Sequence, residues 1–131
     1  MGRHRQQNAS DHALLNRAYR EKRSPAVREM TRLRMQVRNH SMTLEQYTAL
    51  RVAQADRCGA CKEPLLLGQA YQVHIDHDPR CCSRDENPQR KTCGKCVRAL
   101  LCKDCNHAIG FFERYPQRVH MWIDYLRRVN R

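Results

Sequence analysis

Cys58-Gly-Ala-Cys61 and Cys102-Lys-Asp-Cys105 bracket residues 62–101, and inside that insert runs His74-Ile-Asp-His-Asp-Pro79. A thiolate pair spaced by two residues grips one face of a tetrahedral Zn²⁺, and a second such pair completes a four-cysteine shell at about 2.3 Å per sulfur. The insert is longer than a zinc-ribbon loop, so the two pairs clamp a whole functional element between them. Four more cysteines lie within it, Cys81-Cys82 and Cys93-Gly-Lys-Cys96. They offer a second zinc site, or else a disulfide or plain thiols, because adjacent cysteines chelate one metal less readily than a pair spaced by two.

The composition explains why the sulfurs matter. Only 23 of the 131 residues are Leu, Ile, Val or Phe, below the roughly 20% at which a strongly charged chain is expected to lack a self-sufficient core. Metals are a common substitute for missing apolar surface. No apolar run approaches a secretory core or a membrane span, and Gln6 stands where a myristoylation signal needs Ser or Thr. Eight cysteines in a chain with no export signal read as metal ligands in a reducing compartment, so a cytoplasmic location with no membrane partner is expected.

The formal net charge is +12. The first forty residues hold ten Lys and Arg against three Asp and Glu. Two four-thiolate zinc sites would lower the net to about +8, still basic. Such a surface favours a polyanion, and DNA is the expected partner.

Local signals divide the chain into a basic helical arm, residues 1–42, and a zinc-bound unit, residues 43–131. Ser10 is placed to cap a helix from Asp11 to Lys22, and Ser24-Pro25 reads as an N-cap followed by proline in the first helical position. The helix that follows, to about Asn39, carries the stripe Ala26, Met30, Leu33 and Val37, flanked by Arg28, Arg32, Arg34 and Arg38. That stripe packs either on the zinc core or on a second copy of the chain, which would make a homodimer through the N-terminal helices. The arginines suit DNA phosphates or a solvated face. Thr43-Leu-Glu-Gln46 is a capping box opening a helix to about Ala55, with Leu44, Tyr47 and Leu50 inward. A strand is expected over Tyr71–Asp76, paired with one over Cys96–Leu101 across a long loop containing Asp85, Glu86, Asn87 and Pro88. A helix should begin near Lys103 and fade between Gly110 and Glu113. After the break at Tyr115-Pro116, a last helix from Gln117 is expected to turn Val119, Trp122, Ile123 and Leu126 inward.

Asp76 and His77 lie between the zinc pairs, and Asn106 follows the last zinc cysteine. A carboxylate, an imidazole and an amide oxygen that converge can hold a hard divalent cation and activate a water. On an ideal strand Asp76 and His77 point to opposite faces, so a shared site requires the strand to end there, a turn that Asp78-Pro79 can force. Arg98, Lys103 and Arg80 are candidate phosphate clamps, and His74 a supporting residue.

In this order, Cys-x-x-Cys, His74-Ile-Asp-His-Asp78, Val97-Arg-Ala-Leu-Leu-Cys102 and Cys105-Asn106 followed by Gly110, the chain resembles the endonuclease VII group of phage recombination and HNH-type nucleases. The similarity runs from about Thr43 to Leu126. It implies an α+β, mainly helical fold, with a zinc-stapled ββα-metal (His-Me finger) core and a basic helical N-terminal arm. It implies that Asp76 and Asn106 bind Mg²⁺ or Mn²⁺, that His77 is the general base, and that Cys58, Cys61, Cys102 and Cys105 bind structural zinc. A phage origin would place the protein in the bacterial host cytoplasm. Two positions depart from the pattern: Pro79 and Ile109 stand where the relatives carry a further histidine and a metal-assisting glutamate. The third metal histidine of an ordinary HNH motif is also missing.

The expected activity is metal-dependent hydrolysis of a DNA phosphodiester, on branched or phage DNA. Imidazole, which titrates near pH 6.5 or so, suits a general base at neutral pH. A non-catalytic zinc-stabilised nucleic-acid-binding module accounts equally for the charge and the cysteines, but not for the placing of Asp76, His77 and Asn106.

Overall fold

The computed structural model describes residues 12–19, 21–69, 71–82 and 92–130. The expected cap Ser10 and the loop residues Asp85, Glu86, Asn87 and Pro88 lie outside them. Residues 12–19 are helical. Helix α1, Pro25–Asn39, starts as its sequence dictates: the Ser24 side chain accepts from the Val27 N–H, with proline in the first turn. Helix α2, Leu44–Ala53, opens on a complete capping box, Gln46 N–H donating to Thr43 Oγ1 and Thr43 N–H to Gln46 Oε1.

Strands β1, Val73–His77, and β2, Val97–Cys102, form an antiparallel pair. Both lie one to two residues later than the alternation suggested. Tyr71 adopts a left-handed backbone, φ 66°, and so belongs to the turn before β1. The ladder pairs Val73 with Cys102, Ile75 with Leu100 and Asp76 with Ala99, then slips so that His77 faces Val97. Arg98 is the extra residue of this bulge.

Helix α3, Lys103–Arg114, follows β2 without a loop. Cys102 is its N-cap, and its Sγ accepts from the Cys105 N–H. A 3-10 turn, Pro116–Arg118, leads to α4, Val119–Val129. The β1–β2 hairpin and α3 stand in contact, while α2 packs on β2.

The core is small: Val37, Tyr47, Cys58, Leu65, Ile75, Leu100 and Leu101, with Leu33, Met42, Leu50, Val73, Val97 and Ile109 packed around it. Of the arm stripe, Val37 and Leu33 reach this core, while Ala26 and Met30 stay exposed. The C-terminal helix departs from expectation. Trp122, Ile123 and Leu126 are exposed rather than inward, because α4 meets the 3-10 turn and Phe112 but no larger surface among the described residues. No helix among the described residues is long and apolar enough to cross a membrane.

Candidate functional site

Local backbone hydrogen bonds hold the two cysteine pairs of the first cluster together. The Cys58–Cys61 knuckle is closed by Lys62 N–H donating to the Cys58 carbonyl and Cys58 N–H to the Glu63 carbonyl. Gly59 N–H donates to the Leu100 carbonyl at 2.9 Å, laying the knuckle on β2. A Cβ at Gly59 would come 2.8 Å from the Ala99 Cβ, so only glycine permits that approach. Cys102 N–H donates to Cys58 Sγ, and Cys61 and Cys102 sulfurs lie 4.0 Å apart. The four ligand atoms of Cys58, Cys61, Cys102 and Cys105 lie within 4.8 Å of one another.

The second cluster has the same form. Its sulfurs are unbonded and stand 3.8 Å apart between Cys81 and Cys93, 3.6 Å between Cys82 and Cys96, and 3.9 Å between Cys93 and Cys96. A tetrahedron with bonds of about 2.3 Å has edges of about 3.8 Å, so both four-cysteine groups fit zinc, whereas a disulfide needs about 2.05 Å.

The protonation balance in each cluster follows from crowding thiols. Burial pushes the Cys58 thiol up, but N–H donors from Cys102, Cys61 and Ala60 outweigh it and bring it down to about 6. The Cys82 side chain and the Lys95 N–H likewise lower Cys93 to about 6. Neighbouring sulfurs push two members up, Cys105 beside Cys102 and Cys81 beside Cys93, each to about 12. Four thiolates in so small a volume need a cation among them.

The second cluster also ties the arm to the hairpin. Thr92 donates through Oγ1 to the His40 carbonyl and through its N–H to the Asn39 carbonyl, while Ser41 Oγ donates to the Thr92 carbonyl. Gly94, at φ 82°, lies so close to this turn that a Cβ would sit 2.6 Å from the Ser41 carbonyl oxygen. Asp78 N–H donates to the Cys96 carbonyl, which fixes the chain just beyond His77.

A cavity of about 400 Å³ is lined by Asp76, His77, Pro79, Asn106, Gly110, Glu113 and Arg114. The bulge is what lets neighbours on one strand share it. With the ladder slipped between Asp76 and His77, the strict alternation of faces is broken at that point. Asn106 reaches the same cavity from the first turn of α3, whose start is set by Cys102.

Glu113 and Arg114 are lining residues that sequence reasoning missed. The helix expected to fade between Gly110 and Glu113 runs to Arg114, and Asn106, Gly110 and Glu113 fall at i, i+4 and i+7 on one face. Arg98 joins the two acids. Its Nε and Nη2 donate to Asp76 Oδ2 and Oδ1 at 2.7 and 2.9 Å, and its Nη1 donates to Glu113 Oε1. Hydrogen bonds donated to Asp76 first, then to Glu113, hold the guanidinium above its ordinary range.

The remaining candidates are spread more widely. Arg80 donates three hydrogen bonds to Asp78, and these lower the Asp78 carboxyl to about 2. Lys103 is exposed at the start of α3. His74 is not brought to the cavity: its Nε2 lies 2.9 Å from the Tyr71 carbonyl, its ring meets His107 at 5.9 Å, and it lines a separate groove with Arg32 and Tyr71. Arg28, Arg34 and Arg38 are exposed on α1, and Arg32 lies over the Tyr71 ring at 5.2 Å. His40, which sequence reasoning passed over, is buried with its ring centroid 5.6 Å from that of His77.

Compared with known proteins, residues 31–128 match the family described as recombination endonuclease VII. No curated protein and no solved structure matches the chain.

Proposed function

The chain belongs to the recombination endonuclease VII family, and on that premise we propose that it is a metal-dependent endonuclease hydrolysing DNA phosphodiesters at the cavity of Asp76, His77 and Asn106. The observation that carries the proposal is the convergence of these three side chains from two elements on one cavity. In this reading β1, β2 and α3 form a His-Me finger, with zinc in both four-cysteine clusters as its staples.

The imidazole of His77 takes a proton from a water in line with the scissile phosphorus. Asp76 and Asn106 supply oxygen donors, the ligand chemistry that hard cations prefer, and would hold Mg²⁺ or Mn²⁺. Such a cation, when bound, offsets charge developing on the phosphate and the leaving oxygen. In this reading Lys103 at the start of α3, Arg80 and Arg98 contact DNA phosphates, and Arg28, Arg32, Arg34 and Arg38 extend the basic surface along α1. The family's connection with recombination makes branched DNA the first substrate to try.

The test is a supercoiled plasmid and matched linear, nicked and four-way DNA, incubated with the zinc-loaded protein. Cleavage should need added Mg²⁺ or Mn²⁺ and stop on brief chelation that leaves the zinc in place. DNA left intact under every divalent cation, or cut equally well by His77→Ala, would overturn the proposal.

A further inference from the structure

Two carboxylates from different elements, Asp76 on β1 and Glu113 on α3, meet at a single guanidinium. Asn106 opens into the same cavity. The two acids carry one more charge than Arg98 can neutralise, whereas a divalent cation would match them. The proposed mechanism leaves Glu113 without a role, and it asks Arg98 to contact phosphate while its donors are spent on Asp76 and Glu113. Both difficulties have one answer.

We propose that Glu113 is a third protein ligand of the catalytic cation, and that Arg98 occupies the cation's place between Asp76 and Glu113 until the cation enters, then turns to the DNA phosphate. The inference rests on the assignment of Asp76 and Asn106 made above and adds two residues to it.

The geometry supports each half. Glu113 lies seven residues after Asn106, two turns along the same face of α3, and the residue between them is Gly110, whose side-chain position has nothing within 4 Å. No bulk therefore separates the amide from the carboxylate. Two carboxylates and an amide oxygen form an all-oxygen set, and three protein ligands leave positions for water and phosphate on an octahedral ion. Arg98 is the extra residue of the bulge, so its side chain is aimed by a local irregularity of the strand. Its side chain is 35% exposed against 12% for Asp76, so the arginine has solvent to swing into while the aspartate does not. Displacement also conserves charge pairing: the cation takes over both acids, and the freed guanidinium finds a new anion in the phosphate.

The test is a Mn²⁺ titration of the zinc-loaded full chain without DNA, followed by electron paramagnetic resonance, with zinc content as the check on folding. Glu113→Gln should weaken Mn²⁺ binding by about 10-fold or more, the usual scale for losing an oriented partner at a metal. Arg98→Met should tighten it several-fold, since a competing cation is gone, and Arg98→Lys, which loses the fork but keeps the charge, should lie between that variant and the wild type. Adding Ca²⁺ to His77→Ala should raise its affinity for DNA, partly through the ion's own contact with phosphate, and the gain should be several-fold smaller when Arg98→Met is combined with it.

Glu113→Gln binding Mn²⁺ as wild type, beside an Asp76→Asn that has lost it, overturns the role of Glu113 and leaves the proposed function standing. Asp76→Asn binding Mn²⁺ as wild type removes the site itself. If Arg98→Met loses zinc, Arg98→Lys decides alone, and Mn²⁺ binding no tighter than wild type overturns the placeholder. A Ca²⁺-induced gain in DNA affinity that is as large without Arg98 as with it overturns its turn to the phosphate.

Discussion

His77 occupies the last position of β1, beside the bulge, and the ring of His40 rests edge-on against it from the end of α1. A carbonyl can only accept, so His40 Nδ1, 2.8 Å from the Gln36 carbonyl, carries its proton and the ring plane is fixed by the helix. The proposed base is thus braced by a buried side chain from another element. His77→Ala should lower cleavage by about 10²-fold or more while DNA affinity and zinc content hold, the scale expected for losing a general base. His40→Asn keeps a donor for the Gln36 carbonyl and removes the ring. It should lower kcat by about 10-fold, up to about 10²-fold if His77 shifts by an ångström, with KM little changed. A fall in KM and kcat together, or in zinc content, would instead make His40 a folding residue.

Among the elements, the hairpin and α3 place the site, and a side chain of α2's C-cap holds the hairpin. Gln54 acts as a short stretch of strand against the edge of β2: its Oε1 accepts from Leu100 N–H at 2.8 Å, and its Nε2 donates to the Leu100 carbonyl at 2.9 Å. Gln54→Ala leaves the Leu100 N–H without its partner, although the Leu100 carbonyl keeps the Gly59 N–H, and should cost about 1–3 kcal/mol in denaturant unfolding at fixed zinc. Helix starts were legible in the sequence because their causes are local: Ser24 with Pro25, Thr43 with Gln46, and the cysteine spacing itself. The bulge was not, since nothing in Val97-Arg98-Ala99 marks Arg98 as the unpaired residue; the slip follows from how β1 and β2 meet, not from either strand. Glu113 escaped for a related reason. The helix is expected from sequence to fade between Gly110 and Glu113, but it continues to Arg114, and only then do Asn106 and Glu113 share a face. The apolar period of α4 was read correctly as a face, yet periodicity does not say what covers it, and Trp122, Ile123 and Leu126 lie open.

At the scale of the whole molecule, the seven buried core residues among those described are few for a chain this charged, and the sulfur clusters stand where the arm, the hairpin and α3 are joined. Cys58→Ser or Cys102→Ser should therefore unfold the protein rather than merely slow it, because structural zinc is worth about 10–16 kcal/mol in small zinc domains. Metal analysis should return about two zinc per chain, and one would confine zinc to a single cluster. The arm needs a gentler test than deletion. Val37 is buried in the core and His40 lies against His77, so removing residues 1–40 would damage the site along with the charge. Arg28, Arg32, Arg34 and Arg38 are exposed, so all four can be changed to Gln with the core intact. If each neutralises one phosphate, the plot of log K against log salt on duplex DNA should flatten by about 0.9 per arginine, a change of about 3 to 4. The loss should fall on KM far more than on kcat, since none of the four lines the cavity. A folded quadruple variant with an unchanged salt slope would show that this face of α1 meets something other than DNA.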